Sequence, residues 1–434
     1  MKKFKYLDLF AGAGGLTDGF MQSGNYDEVA SVEWLKPQVD TLRHRLKTKW
    51  GHSDADEEVM RFDIQREKEL FGGWQDDEKF GSGKGLDYFV GKHHGIDLVI
   101  GGPPCQAYSV AGRVRDENGM RDDYRNYLFE KYLAVVNRYR PKVFIFENVP
   151  GILSARPGGG KHVTELITEG FESIGYTILN DLRGAIVNAV EYGVPQQRKR
   201  VIILGIRRDL LKKENDADVQ ELLSSFYRHY LPAQKSGHIC TVGDAIGDLQ
   251  GFKPNPQRKL GSRKNPYIKT NNIGKEPNWQ KPRFQNERDI ATFHMLAEDI
   301  ASGKNEYKSS AALSKVYEEK VGSKSPIHRY HVLEKNKPST TIIAHLYKDG
   351  NRFIHYDPQQ ARTITPREAA RLQSFDDDFE FIGSQGATYQ MIGNAVPPKL
   401  AKAVAQALSE FMKKTICKSG HINILNTRKK VSSQ

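Results

Sequence analysis

The chain has 434 residues, 38% hydrophobic and 27% charged, ordinary values for a soluble protein with room for two or three domains. Its formal net charge of +12 suits a polyanionic partner, most often nucleic acid, although a merely basic enzyme surface gives the same balance. Three cysteines set far apart (Cys105, Cys240, Cys417) argue against a disulfide framework or a zinc site, and no apolar stretch approaches the ~20 residues that span a bilayer.

Taken in chain order, the first half alternates strand and helix patterns, which predicts βαβ units and a mostly parallel sheet. The opening "MKKFKYLDLF" is broken by Lys5 and Asp8, so it is no secretion signal but leads into a first strand, "YLDLFA" (6–11). A cytoplasmic protein is expected. A second strand, "EVASVEW" (28–34), follows a glycine-dotted turn and a helix. The polar stretch 65–95 reads as a surface insertion, with His93–His94 in an exposed loop rather than on a metal. The third strand, "DLVIGG" (97–102), runs into "GGPPCQAYSVAG" (101–112), where Pro103 and Pro104 stop it. Cys105 therefore falls just past a carboxyl strand end, the edge at which open α/β sheets bind ligands. "RNYLFEKYLAVVNRY" (125–139) puts Leu128, Tyr132, Val135 and Val136 at helical spacing, and "KVFIFENV" (142–149) and "RVIILGI" (200–206) complete the strands.

After about residue 208 the pattern changes. Residues 251–290 hold ten Lys/Arg against three acids, with Phe252, Tyr267, Trp279 and Phe284 among prolines and amides. That mixture suits either a loop-rich surface for phosphates and base edges or a solvated basic linker. "PPKLAKAVAQALSEFMKK" (397–414) is an amphipathic helix, followed by a polar tail.

Chemistry-bearing residues gather at the predicted strand ends. Gly12, Gly14 and Gly15, between strand and helix, let a backbone approach a nucleotide, a dinucleotide or an adenosyl group. Their spacing matches neither GxGxxG nor a phosphate loop. Glu33 could take two ribose hydroxyls, Trp34 could pack on adenine, and Asp63–Ile64 could meet its exocyclic amine. The plainer alternatives are a surface acid for Glu33 and a core position for Trp34. Together they favour an adenosyl ligand without a required pyrophosphate. A lone cysteine is more often a small buried apolar residue than a nucleophile. Glu147, closing an apolar strand, and Arg198 and Arg200, alternating on the next, are candidates for an active site or for solvated charge.

In that order the chain resembles the DNA (cytosine-5)-methyltransferases, of the bacterial restriction-modification type, along almost its whole length. The matching stretches are "DLFAGAGG" (8–15), "SVEW" (31–34), "DI" (63–64), "GGPPCQAYS" (101–109), "RNYLF" (125–129), "ENVPG" (147–151), "QQRKRV" (196–201), "RTITPREAARLQSF" (362–375) and "GNAVPP" (393–398). The resemblance implies Cys105 as nucleophile on carbon 6 of cytosine, with Glu147 on N3 and the 4-amino group. Arg198 and Arg200 would complete the catalytic set, one near the base or Glu147 and the other bracing the loops. It implies S-adenosylmethionine as cofactor and S-adenosylhomocysteine as product, with no metal, in a pocket of Phe10, Ala11, Gly12, Gly15, Glu33, Trp34, Asp63, Ile64, Leu128, Asn394 and Ala395. The stretch 110–123 would be a lid closing over a flipped base.

The expected architecture is a doubly wound α/β methyltransferase fold with a smaller inserted target-recognition domain. Its expected bounds are 1–208 completed by 384–416 for catalysis, 209–383 for recognition, and 417–434 for the tail. Expected partners are double-stranded DNA and, functionally but without a stable complex, a restriction endonuclease; no membrane is involved and the protein is a monomer. Rival readings are an RNA cytosine methyltransferase, a non-catalytic DNA-binding regulator and a nicotinamide dehydrogenase. The long basic segment, the intact Cys105, Glu147 and arginines, and the glycine spacing respectively speak against them.

Overall fold

The computed structural model describes residues 3–104, 128–156, 160–211, 215–259, 262, 264–270, 274, 276–324 and 330–416. Cys105, the expected lid at 110–123 and the tail at 417–434 lie outside them. The chain divides into two compact units: Met1–Tyr192, Lys199–Gly237 and Val396–Gln434 form the first, and Gly193–Arg198 with His238–Ala395 the second.

The first unit is an α/β unit around one sheet. Its strands are β1 (Phe4–Leu9), β2 (Tyr26–Glu33), β3 (Val59–Arg61), β6 (Leu98–Gly101), β7 (Val143–Asn148), β8 (Tyr176–Thr177), β9 (Ile186–Asn188) and β10 (Lys199–Arg207). A separate antiparallel hairpin, β4 (Trp74–Asp77) and β5 (Gly81–Gly83), lies in the 65–95 insertion. The order is β3-β2-β1-β6-β7-β10-β8, with β9 also on β10. Pairs from β3 to β7 are parallel, and β10 runs antiparallel to β7. The chain winds outward from β1 to β3, then returns to the other side of β1 at β6. That reversal makes a switch point between the carboxyl ends of β1 and β6, where such sheets take ligands.

Local sequence explains these elements. β7, VFIFEN, is buried throughout, as a β-branched and aromatic run in a central strand should be. The helix Leu128–Tyr139 buries Leu128, Tyr132, Val135 and Val136, the set its spacing predicts. The Tyr132 ring meets Phe146 edge-on at 5.2 Å, and Phe171 stacks on Phe144 at 4.0 Å. The C-terminal helix, Pro398–Thr415, packs on helix Gly15–Gln22 so closely that a Cβ on Gly19 would lie 2.4 Å from that of Ala401.

The second unit has a small hairpin, β11 (Phe252–Pro254) with β12 (Tyr267–Lys269), and helices Glu287–Ala301 and Ser310–Val321 around Phe293, Leu296, Leu313, Val316 and Tyr330. The basic segment is loop-rich, as expected, yet internally anchored. The Tyr267 hydroxyl lies 2.8 Å from the Ala361 carbonyl oxygen, and the Trp279 indole N–H donates to that of Phe381 at 2.9 Å.

Unit bounds differ from the sequence expectation at both joins. Residues 209–237 stay with the first unit because Phe226 and Tyr230 set their rings edge-on to Phe411, at 5.9 and 5.4 Å. Helix Gln385–Asn394 goes with the second, since Gly393 sits where a Cβ would be 2.4 Å from Ala344 N. Among the described residues no helix is long and apolar enough to cross a membrane.

Candidate active site

The first cluster forms where β1 and β2 end. Phe10 and Gly12 adopt positive φ (59° and 58°), and Gly14, at 90°, caps helix Gly15–Gln22. A left-handed turn of this kind favours glycine. The Gly12 N–H donates to Glu33 Oε2 at 2.9 Å, while Trp34 N and Leu35 N donate to Oε1 at 2.9 and 2.8 Å. Burial pushes the Glu33 carboxyl up, and these backbone donors pull it back down without cancelling the rise. Glu33 is thus no free surface acid but one oriented at both oxygens. Trp34 is 38% exposed, so it is not core. A Cβ built on Gly12 would meet nothing within 4 Å, leaving open space above the turn.

Other predicted pocket residues divide by what they can offer. Asp63 Oδ1 accepts from Gln65 N at 3.0 Å, and the Phe62 N–H donates to Glu33 O at 3.1 Å, tying the β3 end to that of β2. Ile64 and Leu128 are buried. The Ala11 methyl packs with Val39, Leu42 and Leu46, leaving its backbone rather than its side chain to face a ligand. Gly15 is the first residue of its helix. Asn394 and Ala395 belong to the second unit, the former exposed and the latter with its carbonyl occupied.

The second cluster lies at the ends of β6 and β7. Antiparallel register sets Ile202 opposite Glu147, which brings Arg200 Nε to 2.7 Å from Glu147 Oε1. Both side chains are about nine-tenths buried (11% and 12% exposed). Gly102 leaves the Glu147 carboxylate its place, because a Cβ there would sit 2.6 Å from Glu147 Oε2. Arg198 goes elsewhere. Its buried guanidinium donates to the carbonyls of Ile342 (2.7 Å), Gly393 (3.0 Å) and Ala395 (3.0 Å). Beside it, Gln196 donates to Leu372 O and accepts from Ile342 N, which ties residues 193–198 to the second unit.

One residue escaped sequence reasoning. Asp8, 1% exposed, accepts from Thr17 Oγ1 at 2.6 Å, and its other oxygen has no partner among the described residues. Burial raises its carboxyl well above the usual range. A lone acid in the otherwise apolar "YLDLFA" was the available signal. Among the described residues no His, Cys, Asp and Glu group could hold a metal ion.

The chain matches the C-5 cytosine-specific DNA methylase family over residues 4–410. It is 31% identical to type II methyltransferase M.Bpa9945I of Bacillus paralicheniformis, over 94% of this chain and 98% of that one. It is 30% identical to M1.HphI of Haemophilus parahaemolyticus, over 93% and 86%. The crystal structure of a prophage-encoded E. coli protein is similar in fold, with a TM-score of 0.55 at 24% identity over 95% of this chain and 100% of that one. The S. pombe Dnmt2 methyltransferase has a TM-score of 0.50 at 16% identity, over 95% and 99%. With its sheet, its glycine turn and a match over nearly all its length, the chain belongs to the C-5 cytosine-specific DNA methylases, enzymes that methylate carbon 5 of cytosine in DNA.

Proposed function

We propose that this methylase uses S-adenosylmethionine, flips the target cytosine out of duplex DNA and works through a covalent Cys105 adduct. The observation that carries the reading is the Glu147–Arg200 pair packed against Gly102, three residues ahead of Cys105 in the chain. Carbon 5 of cytosine is a poor nucleophile. Addition of the Cys105 thiolate to carbon 6 makes carbon 5 enamine-like, which is covalent catalysis by an activated nucleophile. Glu147, with Oε1 tied to Arg200, presents its other oxygen to N3 and the 4-amino group. Carrying a proton, it stabilises the negative charge that reaches the ring on attack. Once carbon 5 has gained its methyl group, loss of its proton and expulsion of the thiolate restore the aromatic ring. Arg198 acts at one remove, bracing residues 342 and 393–395 through their carbonyls.

The first cluster fits an adenosyl group. Glu33, oriented by backbone donors, suits two ribose hydroxyls, the exposed Trp34 offers a stacking face, and the open side of Gly12 leaves room. Phe10, Ala11, Gly15, Asp63, Ile64 and Leu128 complete the pocket in this reading. The cofactor supplies a methyl group on a cationic sulfur; no metal has a role. The second unit reads the DNA sequence, and 110–123 closes over the flipped base. The relatives are named type II methyltransferases, which supports a place beside a restriction endonuclease; a cytoplasmic monomer that forms no stable complex with the endonuclease completes this reading.

Duplex DNA with 5-fluorocytosine at the target tests the mechanism. Fluorine cannot leave as the proton does, so wild type should form an adduct that survives denaturing electrophoresis. Cys105→Ser should form none and lose turnover by ~10⁴ or more, because a hydroxyl is far less ionised than a thiol. A serine variant retaining a substantial fraction of wild-type turnover would overturn the covalent reading.

A further inference from the structure

The 65–95 insertion leaves the sheet at Asp63–Ile64, inside the proposed cofactor pocket, and folds back toward it. Its core is Trp74, whose indole stacks on Phe62 with centroids 3.8 Å apart and planes at 23°. Gly83, on the partner strand, has no room for a Cβ, which would lie 2.3 Å from that indole. Phe80 adds a tilted contact on Phe62 at 5.2 Å. The turn between β4 and β5 is pinned by Asp77, whose Oδ1 accepts from Lys79 N and Phe80 N, both at 2.9 Å. Arg66 holds Asp77 as an ion pair and lies over Phe62, 4.9 Å from the ring centre. A backbone tip fixed in this way delivers one side chain to the pocket. Lys79 Nζ stands 4.4 Å from the centre of the Trp34 ring.

We propose that Lys79, carried on the β4–β5 tip, is the outer wall of the adenine subsite and holds the Trp34 indole in place for a purine on its other face. The inference rests on the cofactor reading above. A cation on one face of an aromatic ring is drawn by the ring's negative quadrupole and pulls π density toward itself. The opposite face becomes less negative, which lessens its repulsion of a stacked purine. Lys79 acts through the Trp34 ring, so it is a positioning residue.

Binding of S-adenosylhomocysteine to the full chain, measured by calorimetry, tests this with Lys79→Ala, Lys79→Met, Lys79→Arg and Trp34→Ala. Lys79→Ala and Lys79→Met should weaken binding roughly two- to fivefold, the range for an exposed cation–π contact. The KM for S-adenosylmethionine should rise by the same factor while kcat and duplex affinity hold. Lys79→Arg should restore binding to within about twofold, because it keeps the cation. Methionine keeps most of the stem, so wild-type binding by Lys79→Met would assign the effect to packing and overturn the cation's role. Unchanged or tighter binding by Lys79→Ala, with clear loss in Trp34→Ala, would overturn the wall alone. Unchanged binding in Trp34→Ala as well would remove the cofactor reading beneath it.

Discussion

Four carboxyls of the first unit differ chiefly in what donates to them. Glu33 has backbone N–H groups on both oxygens, and Glu147 has a guanidinium. Asp8 and Glu28 have one hydroxyl each, from Thr17 and Ser31, and each keeps one oxygen without a partner among the described residues. The first two are oriented by these donors, and the last two are buried liabilities. Burial pushes the Glu28 carboxyl up to about 7 from an ordinary 4.5. The folded chain therefore keeps this proton longer than the unfolded one. The resulting stabilisation is whole below about pH 4.5 and is lost as pH climbs toward 7. Glu28→Gln preserves the neutral shape, so it should match wild type at pH 4.5 and be more stable at pH 8, by up to ~3 kcal/mol at 1.36 kcal/mol per pKa unit. Urea unfolding of both proteins at the two pH values measures the difference, and a variant weaker than wild type at pH 8 would show that the charge itself is needed.

Among the elements, helix Gly15–Gln22 matters most, because the glycine turn feeds it. Eight residues with two glycines are too few to hold a helix by propensity, so tertiary contacts must do it. Arg45 Nε and Asp18 Oδ1 form an ion pair at 2.7 Å with both side chains almost wholly buried, and Trp50 Nε1 donates to the same oxygen at 3.0 Å. Asp18→Ala would leave the Arg45 charge buried without its carboxylate. Breaking such a pair costs about 3–5 kcal/mol, which in a unit of this size lowers Tm by roughly 10 °C. The double change Asp18→Leu with Arg45→Leu should recover much of that loss, because no lone charge remains. Thermal melts of the three proteins decide it, and equal losses in single and double variants would mean the contact is mainly packing. The helix Leu128–Tyr139 was legible from spacing alone because its stripe is regular. The β4–β5 hairpin was not, since glycines and acids mask a core of one tryptophan on one phenylalanine.

At the scale of the whole molecule, chemistry and sequence choice fall to different stretches of chain. In the proposed mechanism the catalytic motifs see one extrahelical cytosine and cannot distinguish its neighbours, which assigns specificity to the second unit as a proposal. Lys259 and Lys264 are exposed there. Replacing both by alanine should weaken binding to every duplex alike, because phosphate contacts carry no sequence information. The log–log salt slope should fall by roughly 0.9 for each contact removed. Exchange of residues 238–338 with those of a relative should move methylation to the relative's site. The exchange stops there because Ser339 pairs with Gln196 and Thr341 donates to Gln197 O, contacts that any relative's segment must find intact. Sequencing 5-methylcytosine in cellular DNA reads the outcome, and a chimera still active on the original site would place specificity elsewhere.

The sequence by itself determined the five main strands, because each is a predominantly apolar run, β-branched in all but the first. It also determined the family, through motifs in a fixed order, and the address of Glu147 at a strand end. Only the tertiary structure decided which arginine meets that acid. Alternation places Arg198 and Arg200 on one face, yet β10 begins at Lys199, and its antiparallel register on β7 brings Arg200 alone to the carboxylate. Register between strands more than 50 residues apart is a non-local choice, set by packing across the whole sheet, and no local spacing encodes it. The unit bounds and the Lys79–Trp34 contact have the same origin: each depends on surfaces that exist only once distant segments have met.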